Sequence, residues 1–285
     1  MTNDVGTQPP IGRERALAVG MVAIAAVSPQ LGAALAVTLF GELGPAGAAF
    51  LRLAFAAAIL WAIWRPRLTG DLSLAAAFGA SLGLMNWTFY EAIARLPLGI
   101  AVTIEFAGPL SVAVVASRRP LDVLWVVLAA AGIWLLIGPT GGSLDPLGVV
   151  FALIAAVCWA AYIHLNQRTG AAFRGGSGLA IAMVVGALVV LPAGVLQADG
   201  ALLRPELLGS AIVVAILSSV VPYSLDVEAL RRLPAAVFGV LMSLDPAIAA
   251  LIGFLLLGQA LGPVEVLAIA LVVVASAGSA SLSHR

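Results

Sequence analysis

The sequence predicts an all-α integral membrane protein with ten transmembrane helices, arranged as a 5+5 inverted-topology repeat. Composition supports the first part, because 62% of the 285 residues are apolar and only 10% are charged. In a soluble globular domain, about a quarter of the residues carry charge. A motif that occurs once in each half supports the second part. Together these observations exclude an ordinary soluble domain.

Ten apolar stretches are separated by polar or turn-forming residues, and each is close to the about 20 residues that cross a bilayer as a helix. The stretches lie near residues 16–38, 45–64, 72–94, 98–117, 121–138, 146–166, 177–197, 206–230, 234–257 and 263–281. We expect a cytoplasmic tail at 1–15, a first repeat of five helices at 16–142, a second at 143–281 and a short cytoplasmic tail at 282–285.

The repeated motif is EAIARLP, from Glu91 to Pro97, which recurs as EALRRLP, from Glu228 to Pro234. A unit of five spans inserts its second copy upside down, as in the inverted repeats of secondary transporters. Chance similarity between helices rich in small residues is the alternative. A charged residue, an Arg-Leu-Pro end and a later proline at one constant offset favour duplication. We expect both glutamates, at helix ends, to face the membrane boundary.

The arginines indicate the orientation of the chain. With a cytoplasmic N-terminus, only Arg95 and Arg204 lie outside, and positive charge concentrates on the cytoplasmic side as the positive-inside rule requires. The arginines predicted to be cytoplasmic are Arg13, Arg15, Arg65, Arg67, Arg118, Arg119, Arg168, Arg174, Arg231, Arg232 and Arg285. The sequence therefore predicts a multi-pass membrane protein with both termini in the cytoplasm.

Composition also excludes several kinds of site. The chain has no lysine, which rules out a G-x-x-x-x-G-K-[ST] phosphate loop and hence a nucleotide-driven motor of that type. One cysteine, Cys158, and two histidines, His164 and His284, do not make a metal-binding cluster. We expect no metal, no cofactor and no nucleic-acid partner.

Arg52 is the most costly residue to bury, about seven positions into the second predicted helix. A charge at such a depth normally faces a bundle interior or a wet cavity and has a partner. Glu105 enters the fourth helix from the same side at about the same depth. Arg52 then attracts a substrate carboxylate and Glu105 an ammonium group or a proton. A permanent ion pair that orients two helices is the alternative.

Each half also places a carboxylate beside a proline within a helix. Asp245 directly precedes Pro246, and Glu105 lies four residues before Pro109. Proline removes a backbone donor and frees a carbonyl of the preceding turn, which a cation or water can use. Asp245 is therefore a candidate for carrying a proton or binding an ammonium group; a hydrogen-bonded structural kink is the alternative.

The eighth predicted helix has one polar face. Ser219, Tyr223 and Asp226 follow i, i+4, i+7 spacing, and Pro222 bends the segment. This face is polar enough to line an inner vestibule, and Asp226 is a further candidate for proton coupling.

The third helix carries the corresponding face in the first half. Asn86 and Tyr90 are i, i+4, and Asn86 maps onto Tyr223 by the repeat offset. The two faces therefore occupy mirrored places around a central cavity. Polar side chains that only hold helices together are the alternative.

Three further residues complete the predicted cavity wall. Gln30 follows the helix-breaking Pro29 in the first helix, and Trp159 and Tyr162 are i, i+3 in the sixth. Aromatic residues at the membrane interface are the alternative for the last two.

The run PLGIAVTIEFAGPL, from Pro97 to Leu110, followed by SRRPLD, from Ser117 to Asp122, closely resembles the threonine/homoserine exporters of the EamA family, in the drug/metabolite transporter superfamily. The resemblance implies a ten-helix bundle in a bacterial inner membrane that exports small amino acids in exchange for protons. Further matches are Met85-Asn86, Cys158-Trp159-Ala160, Pro222 to Leu225, Arg232 to Pro234 and Phe238 to Ser243.

The residues and the resemblance together favour a secondary exporter of threonine- or homoserine-like amino acids, with protons and membrane lipid as its other partners. Export of lipophilic cations or other metabolites is the alternative within transport, and it needs carboxylates and aromatics but less obviously Arg52. An intramembrane enzyme needs a nucleophile and a base, and neither Cys158 nor His164 has a visible partner set. A pure scaffold leaves the buried charges unexplained.

Overall fold

The computed structural model describes residues 11–116, 120–137, 144–230 and 235–282, and all regular structure in these ranges is helical. Apolar chain in a bilayer forms helices because each helix satisfies its own backbone hydrogen bonds. The helices are α1 Ile11–Trp64, α2 Leu72–Ile93, α3 Leu98–Glu105, α4 Ala107–Ala116, α5 Pro120–Ile137, α6 Pro146–Ala172, α7 Ser177–Ala198, α8 Pro205–Ala215, α9 Val221–Leu230, α10 Ala235–Met242, α11 Asp245–Leu257 and α12 Pro263–Leu282. A 3₁₀ turn, Ala201–Leu203, precedes α8, and a π-helical turn, Ile216–Val220, joins α8 to α9.

Within the described residues, seven helical stretches are long and apolar enough to cross a membrane. The first, Leu17–Trp64, has 48 residues, about twice the length that a single crossing needs. Two shorter apolar helical stretches are Leu98–Val112 and Leu124–Ile137. The prediction of an all-helical membrane protein is confirmed; the count of ten spans, the inverted repeat and the domain limits stay predictions.

Helix α1 covers the first two predicted stretches and changes direction at Gly44. This residue has φ 66° and ψ 163°, the only non-helical backbone angles inside α1, and a positive φ of this kind is readily adopted only by glycine. A Cβ atom there would also lie 2.7 Å from Oε1 of Gln197 in α7. The predicted break at Pro29 does not appear, because α1 continues through it as a helix.

The other three prolines predicted to break helices lie beside real interruptions. Helix α3 ends at Glu105 and α4 begins at Ala107, just before Pro109. The π-helical turn directly precedes Val221 and Pro222. Helix α10 ends at Met242, and Pro246 lies in the first turn of α11.

Close helix packing depends on small residues, which let backbones approach one another. At the crossing of α2 and α7, a Cβ atom on Gly83 would lie 2.7 Å from the carbonyl oxygen of Gly186. One turn earlier, a Cβ on Gly79 would lie 2.5 Å from the carbonyl oxygen of Ala182. Helix α2 therefore packs backbone to backbone against α7.

The two ends of the bundle can be named from their contacts. At the Arg95 end, Gly44 lies against Gln197, and Gly148 at the start of α6 lies against Arg95 and Leu96. At the Trp64 end, the ring of Trp64 lies against Gly175 and Gly176 before α7. By the predicted orientation, the Arg95 end is outside and the Trp64 end is cytoplasmic.

Several predicted features lie outside the described residues. These are residues 1–10 and 283–285 of the predicted tails, the pair Arg118 and Arg119, and the part of the second motif copy from Arg231 to Pro234.

Candidate functional site

Arg52 lies in the second part of α1 and is buried against the π-helical turn and α2. Its Nη2 donates to the carbonyl oxygen of Ser218 at 2.8 Å, and its Nε donates to Oγ of Ser219 at 3.2 Å. Its Nη1 lies 3.4 Å from the hydroxyl of Tyr90, whose ring centroid is 5.5 Å from the guanidinium carbon. Neutral polar groups thus hold the guanidinium on three sides.

Two carbonyls face α1 at this point, for two reasons. Pro222 has no N–H, which leaves one carbonyl of the preceding turn without a helical donor, and the change from the five-residue spacing of the π-helical turn to α-helical spacing leaves a second. The carbonyl of Ser218, four residues earlier, accepts from Arg52. The carbonyl of Leu217, five residues earlier, accepts from Oγ of Ser28 at 2.6 Å. A π-helical turn of this kind is frequent at functional sites.

Gly32 allows this close approach of the two chain segments. A Cβ atom at this position would collide with Oγ of Ser218 and would lie 3.1 Å from its backbone nitrogen. The hydrogen bonds of Ser28 and Arg52 to the π-helical turn therefore depend on a residue without a side chain between them.

Glu105 is the last residue of α3 and is buried. Its carboxyl group interacts electrostatically with Arg52, but the two side chains form no direct ion pair in the described part of the chain. Tyr223 and Asp245 lie within electrostatic reach of the same carboxyl group. Glu105 thus belongs to the site without being the direct partner of Arg52.

Two more carboxyl groups face the same region. Asp245 begins α11, and Asp226 lies in α9. The Oδ1 atom of each is buried and has no hydrogen-bond partner among the described residues. The two side chains interact electrostatically with each other, and Asp245 also with Glu105. A buried carboxyl oxygen without a donor costs free energy, and a ligand or a proton can remove that cost.

Aromatic side chains complete the wall of the site. Tyr162 and Tyr223 interact electrostatically with each other. The ring of Tyr162 also packs on Phe78 with 5.2 Å between centroids. Trp159 meets Phe106 edge to face, again at 5.2 Å.

The described contacts connect most, but not all, of the residues predicted from the sequence. Gln30 is buried without a hydrogen bond to another described residue. Nδ2 of Asn86 donates to the carbonyl of Leu82 in its own helix at 2.8 Å. Trp159 contacts the break after α3 rather than Arg52. The connected residues are Arg52, Tyr90, Glu105, Tyr162, Tyr223, Asp226 and Asp245.

Known transporters are similar to this chain over most of its length. The EamA-like transporter family matches residues 146–280. The threonine/homoserine exporter RhtA of Escherichia coli (strain K12) is 45% identical over 269 residues, which cover 92% of this chain and 91% of that protein. RhtA of Salmonella typhimurium (strain LT2) is 44% identical, with 94% and 93% covered. The chain belongs to the EamA-like transporter family.

Two more distant similarities fit this assignment. The uncharacterized transporter YwfM of Bacillus subtilis is 29% identical over 63% of this chain and 59% of its own length. A crystal structure of a protein that is 18% identical superposes with a TM-score of 0.63, covering 94% of this chain and 96% of that one. This second similarity shows a shared fold. The protein is therefore an EamA-like transporter that passes through the membrane several times.

One buried group in this EamA-like transporter contradicts the expectation from its sequence. Glu91, expected at the membrane boundary, is only 3% exposed. Its Oε1 accepts from Nε1 of Trp87 at 3.2 Å and from Nε2 of Gln197 at 2.6 Å. Its Oε2 pairs with Nη1 of Arg95 at 2.6 Å. The i, i+4 spacing of Glu91 and Arg95 was the available signal, whereas the contribution of α7 depends on the tertiary fold.

A cavity of about 780 Å³ opens at the Arg95 end. Its lining includes Phe40, Arg95, Pro97 and Gln259. The ring of Phe40 packs on Tyr90 with 5.6 Å between centroids. Because Tyr90 also contacts Arg52, Phe40 and Tyr90 form a layer between this cavity and the guanidinium.

The described residues contain no group of histidine, cysteine, aspartate or glutamate side chains that could hold a metal ion. The chemistry of the site is thus that of one guanidinium, three carboxyl groups and phenol hydroxyls. These groups can bind a zwitterion and exchange protons.

Proposed function

We propose that this protein is a secondary exporter of small amino acids of the threonine and homoserine type, driven by protons and working by alternating access. The names of the RhtA relatives, at 44 to 45% identity over more than nine tenths of the chain, support this substrate class. The inverted repeat that the sequence predicts supports alternating access, because rocking of one repeat against the other would open a central site to each side in turn.

The observation that carries the proposal is how Arg52 is held. A guanidinium has five N–H donors, and Arg52 uses three of them on Ser218, Ser219 and Tyr90. None of these three partners carries a formal negative charge, so its positive charge is not neutralised by direct contact. Its two remaining donors suit the carboxylate of an amino acid, which a guanidinium binds with two parallel hydrogen bonds.

The carboxyl groups bind the ammonium group of the zwitterion and couple its transport to protons. Glu105 interacts electrostatically with Arg52, and we assign to it the substrate ammonium group. Asp226 and Asp245 each have a buried oxygen without a donor, and we assign to them, together with Glu105, the exchange of protons. Substrate and proton compete for these groups, and that competition couples export to proton entry.

The orientation follows from the sequence argument. We propose ten spans in two five-helix repeats, 16–142 and 143–281, with both termini in the cytoplasm of a bacterial inner membrane. The Arg95 end then faces outward and the Trp64 end faces the cytoplasm. We propose no enzymatic activity for the chain.

Transport of labelled solutes into inside-out vesicles tests the proposal. Threonine, homoserine and a lipophilic cation are each supplied with and without a pH gradient. We expect uptake of both amino acids, stimulated by the gradient, and no uptake of the cation above that of vesicles lacking the protein. Uptake of the cation alone would favour the alternative substrate class. If the pH gradient stimulates uptake of neither amino acid, the proposal is overturned.

A further inference from the structure

We infer that the cavity at the Arg95 end is a second, weaker binding site for the exported amino acid, used as the substrate leaves. The inference rests on the proposed function. The cavity lies beyond the layer of Phe40 and Tyr90, so it holds no part of the Arg52 site.

Arg95 supplies the group that binds the carboxylate. Its Nη1 donates to the carboxylate and to the carbonyl oxygen of Glu91, at 2.6 and 2.7 Å. Its Nε and Nη2 have no hydrogen-bond partner among the described residues, and the side chain is 28% exposed in the cavity wall. Packing of the guanidinium on Phe151, at 5.1 Å from the ring centroid, further fixes its direction. The unused donors are thus oriented before a ligand arrives.

Carbonyl groups supply the complement for an ammonium group. Pro97 cannot donate to the carbonyl of Ile93, because proline has no N–H, and the N–H of Leu98 donates instead to Oε1 of Gln259 at 2.8 Å. In the same way, Pro45 cannot donate to the carbonyl of Gly41. Ile93, Pro97, Gly41 and Pro45 all line the cavity. Two residues whose carbonyls lack their usual helical donor therefore border one space, next to the negative ends of two helix dipoles.

The charge of Arg95 is partly neutralised by Glu91, which lies in direct contact with it. A carboxylate therefore binds Arg95 less tightly than it binds Arg52, which has no charged group in contact. An exit site needs this property, because conduction requires binding that is weak enough for the ligand to leave.

Exchange transport in vesicles of each orientation tests the inference. Vesicles are loaded with saturating unlabelled threonine, and uptake of labelled threonine gives a half-saturation concentration. Right-side-out vesicles report this value at the outward face, and inside-out vesicles report it at the cytoplasmic face. We expect Arg95→Gln to raise the half-saturation concentration at the outward face roughly tenfold, because about one charge-assisted hydrogen bond is lost. The half-saturation concentration at the cytoplasmic face should change by less than about twofold. The matched control is Arg204→Gln, since Arg204 forms an exposed ion pair with Glu42 at 2.7 Å and neither residue lines the cavity.

A competitor without a carboxylate separates binding from a structural role of Arg95. Threonine amide competes with labelled threonine at the outward face. We expect Arg95→Gln to weaken binding of threonine at the outward face but not binding of threonine amide. Arg95→Lys, which keeps the charge, should recover part of the lost threonine affinity. If Arg95→Gln does not yield folded protein, Arg95→Lys gives the same comparison with a smaller expected change.

Equal weakening of threonine and its amide, an equal change at both faces, or no change at either face would overturn the inference while leaving the proposed function intact. Wild-type vesicles that exchange no threonine would instead overturn the proposed function, and the inference with it.

Discussion

Replacing Arg52 by glutamine should remove high-affinity binding of the amino acid. The two donors that Arg52 does not spend on Ser218, Ser219 and Tyr90 are available to a substrate carboxylate. At about 1.5 to 3 kcal/mol for each hydrogen bond to a charged group, the loss is about 3 to 6 kcal/mol. Since about 1.4 kcal/mol is a factor of ten, half-saturation should rise by about 10² to 10⁴.

The assay is threonine uptake into inside-out vesicles over a wide concentration range. Arg52→Lys keeps the charge but not the planar fork, and we expect it to recover only part of the affinity. Tyr90→Phe is the matched control. It removes only the 3.4 Å contact and keeps the ring beneath the guanidinium, so half-saturation should change by less than about fivefold.

Glutamine at position 52 also leaves buried acceptors without their donor, which costs stability. Thermal unfolding of the purified variant, followed in detergent by size-exclusion chromatography, separates this effect from a loss of binding. A folded Arg52→Gln protein that transports threonine with wild-type half-saturation would refute the assignment of Arg52 to the substrate carboxylate.

Three further changes test the packing, the π-helical turn and the coupling. Gly83→Ala forces a Cβ atom against the backbone of α7 and should lower the free energy of unfolding by about 1 to 3 kcal/mol; Gly209→Ala, with nothing within 4 Å, is the control, and equal melting temperatures would contradict this. Pro222→Ala restores an N–H that competes for the carbonyl holding Arg52, so threonine half-saturation should rise; an unchanged value would show that the proline does not position the guanidinium. Asp245→Asn should abolish stimulation of threonine transport by a pH gradient while exchange continues, and stimulation at the wild-type level would remove this residue from proton coupling.

Several residues of the candidate site could be selected from the sequence because a charged side chain is costly to bury in a membrane. Arg52, Glu105 and Asp245 are conspicuous in apolar stretches, and the structure brings all three into one electrostatically connected group. Two of the three direct partners of Arg52 could not be predicted. They are a backbone carbonyl and a hydroxyl of the π-helical turn, and which carbonyl faces Arg52 depends on how α1 crosses that turn. The third partner is the hydroxyl of Tyr90.

For Glu91, the position in the predicted helix led to a wrong prediction of its surroundings. Its place at the end of a helix favoured the membrane boundary. Burial comes instead from α7, whose Gln197 joins the carboxylate of Glu91 to the backbone N–H of Ala46 at 2.6 and 2.8 Å. These residues are far apart in sequence, so no periodicity within α2 reports their contact. Asn86 is a different case, because its amide donates to the carbonyl of Leu82, four residues earlier in the same helix.

Both sites have backbone carbonyls that lack a helical donor because a proline follows them. At the central site, Pro222 and the π-helical turn together leave the carbonyls of Leu217 and Ser218 to accept from Ser28 and Arg52. At the Arg95 end, Pro45 and Pro97 leave carbonyls of two helix ends beside a cavity. A carbonyl freed in this way carries no formal charge, so it adds polarity within a membrane protein without the cost of burying an ion. In the proposed function, the formal charges of Arg52 and Arg95 bind the carboxylate of the amino acid, whereas the buried carboxylate of Glu91 pairs with Arg95.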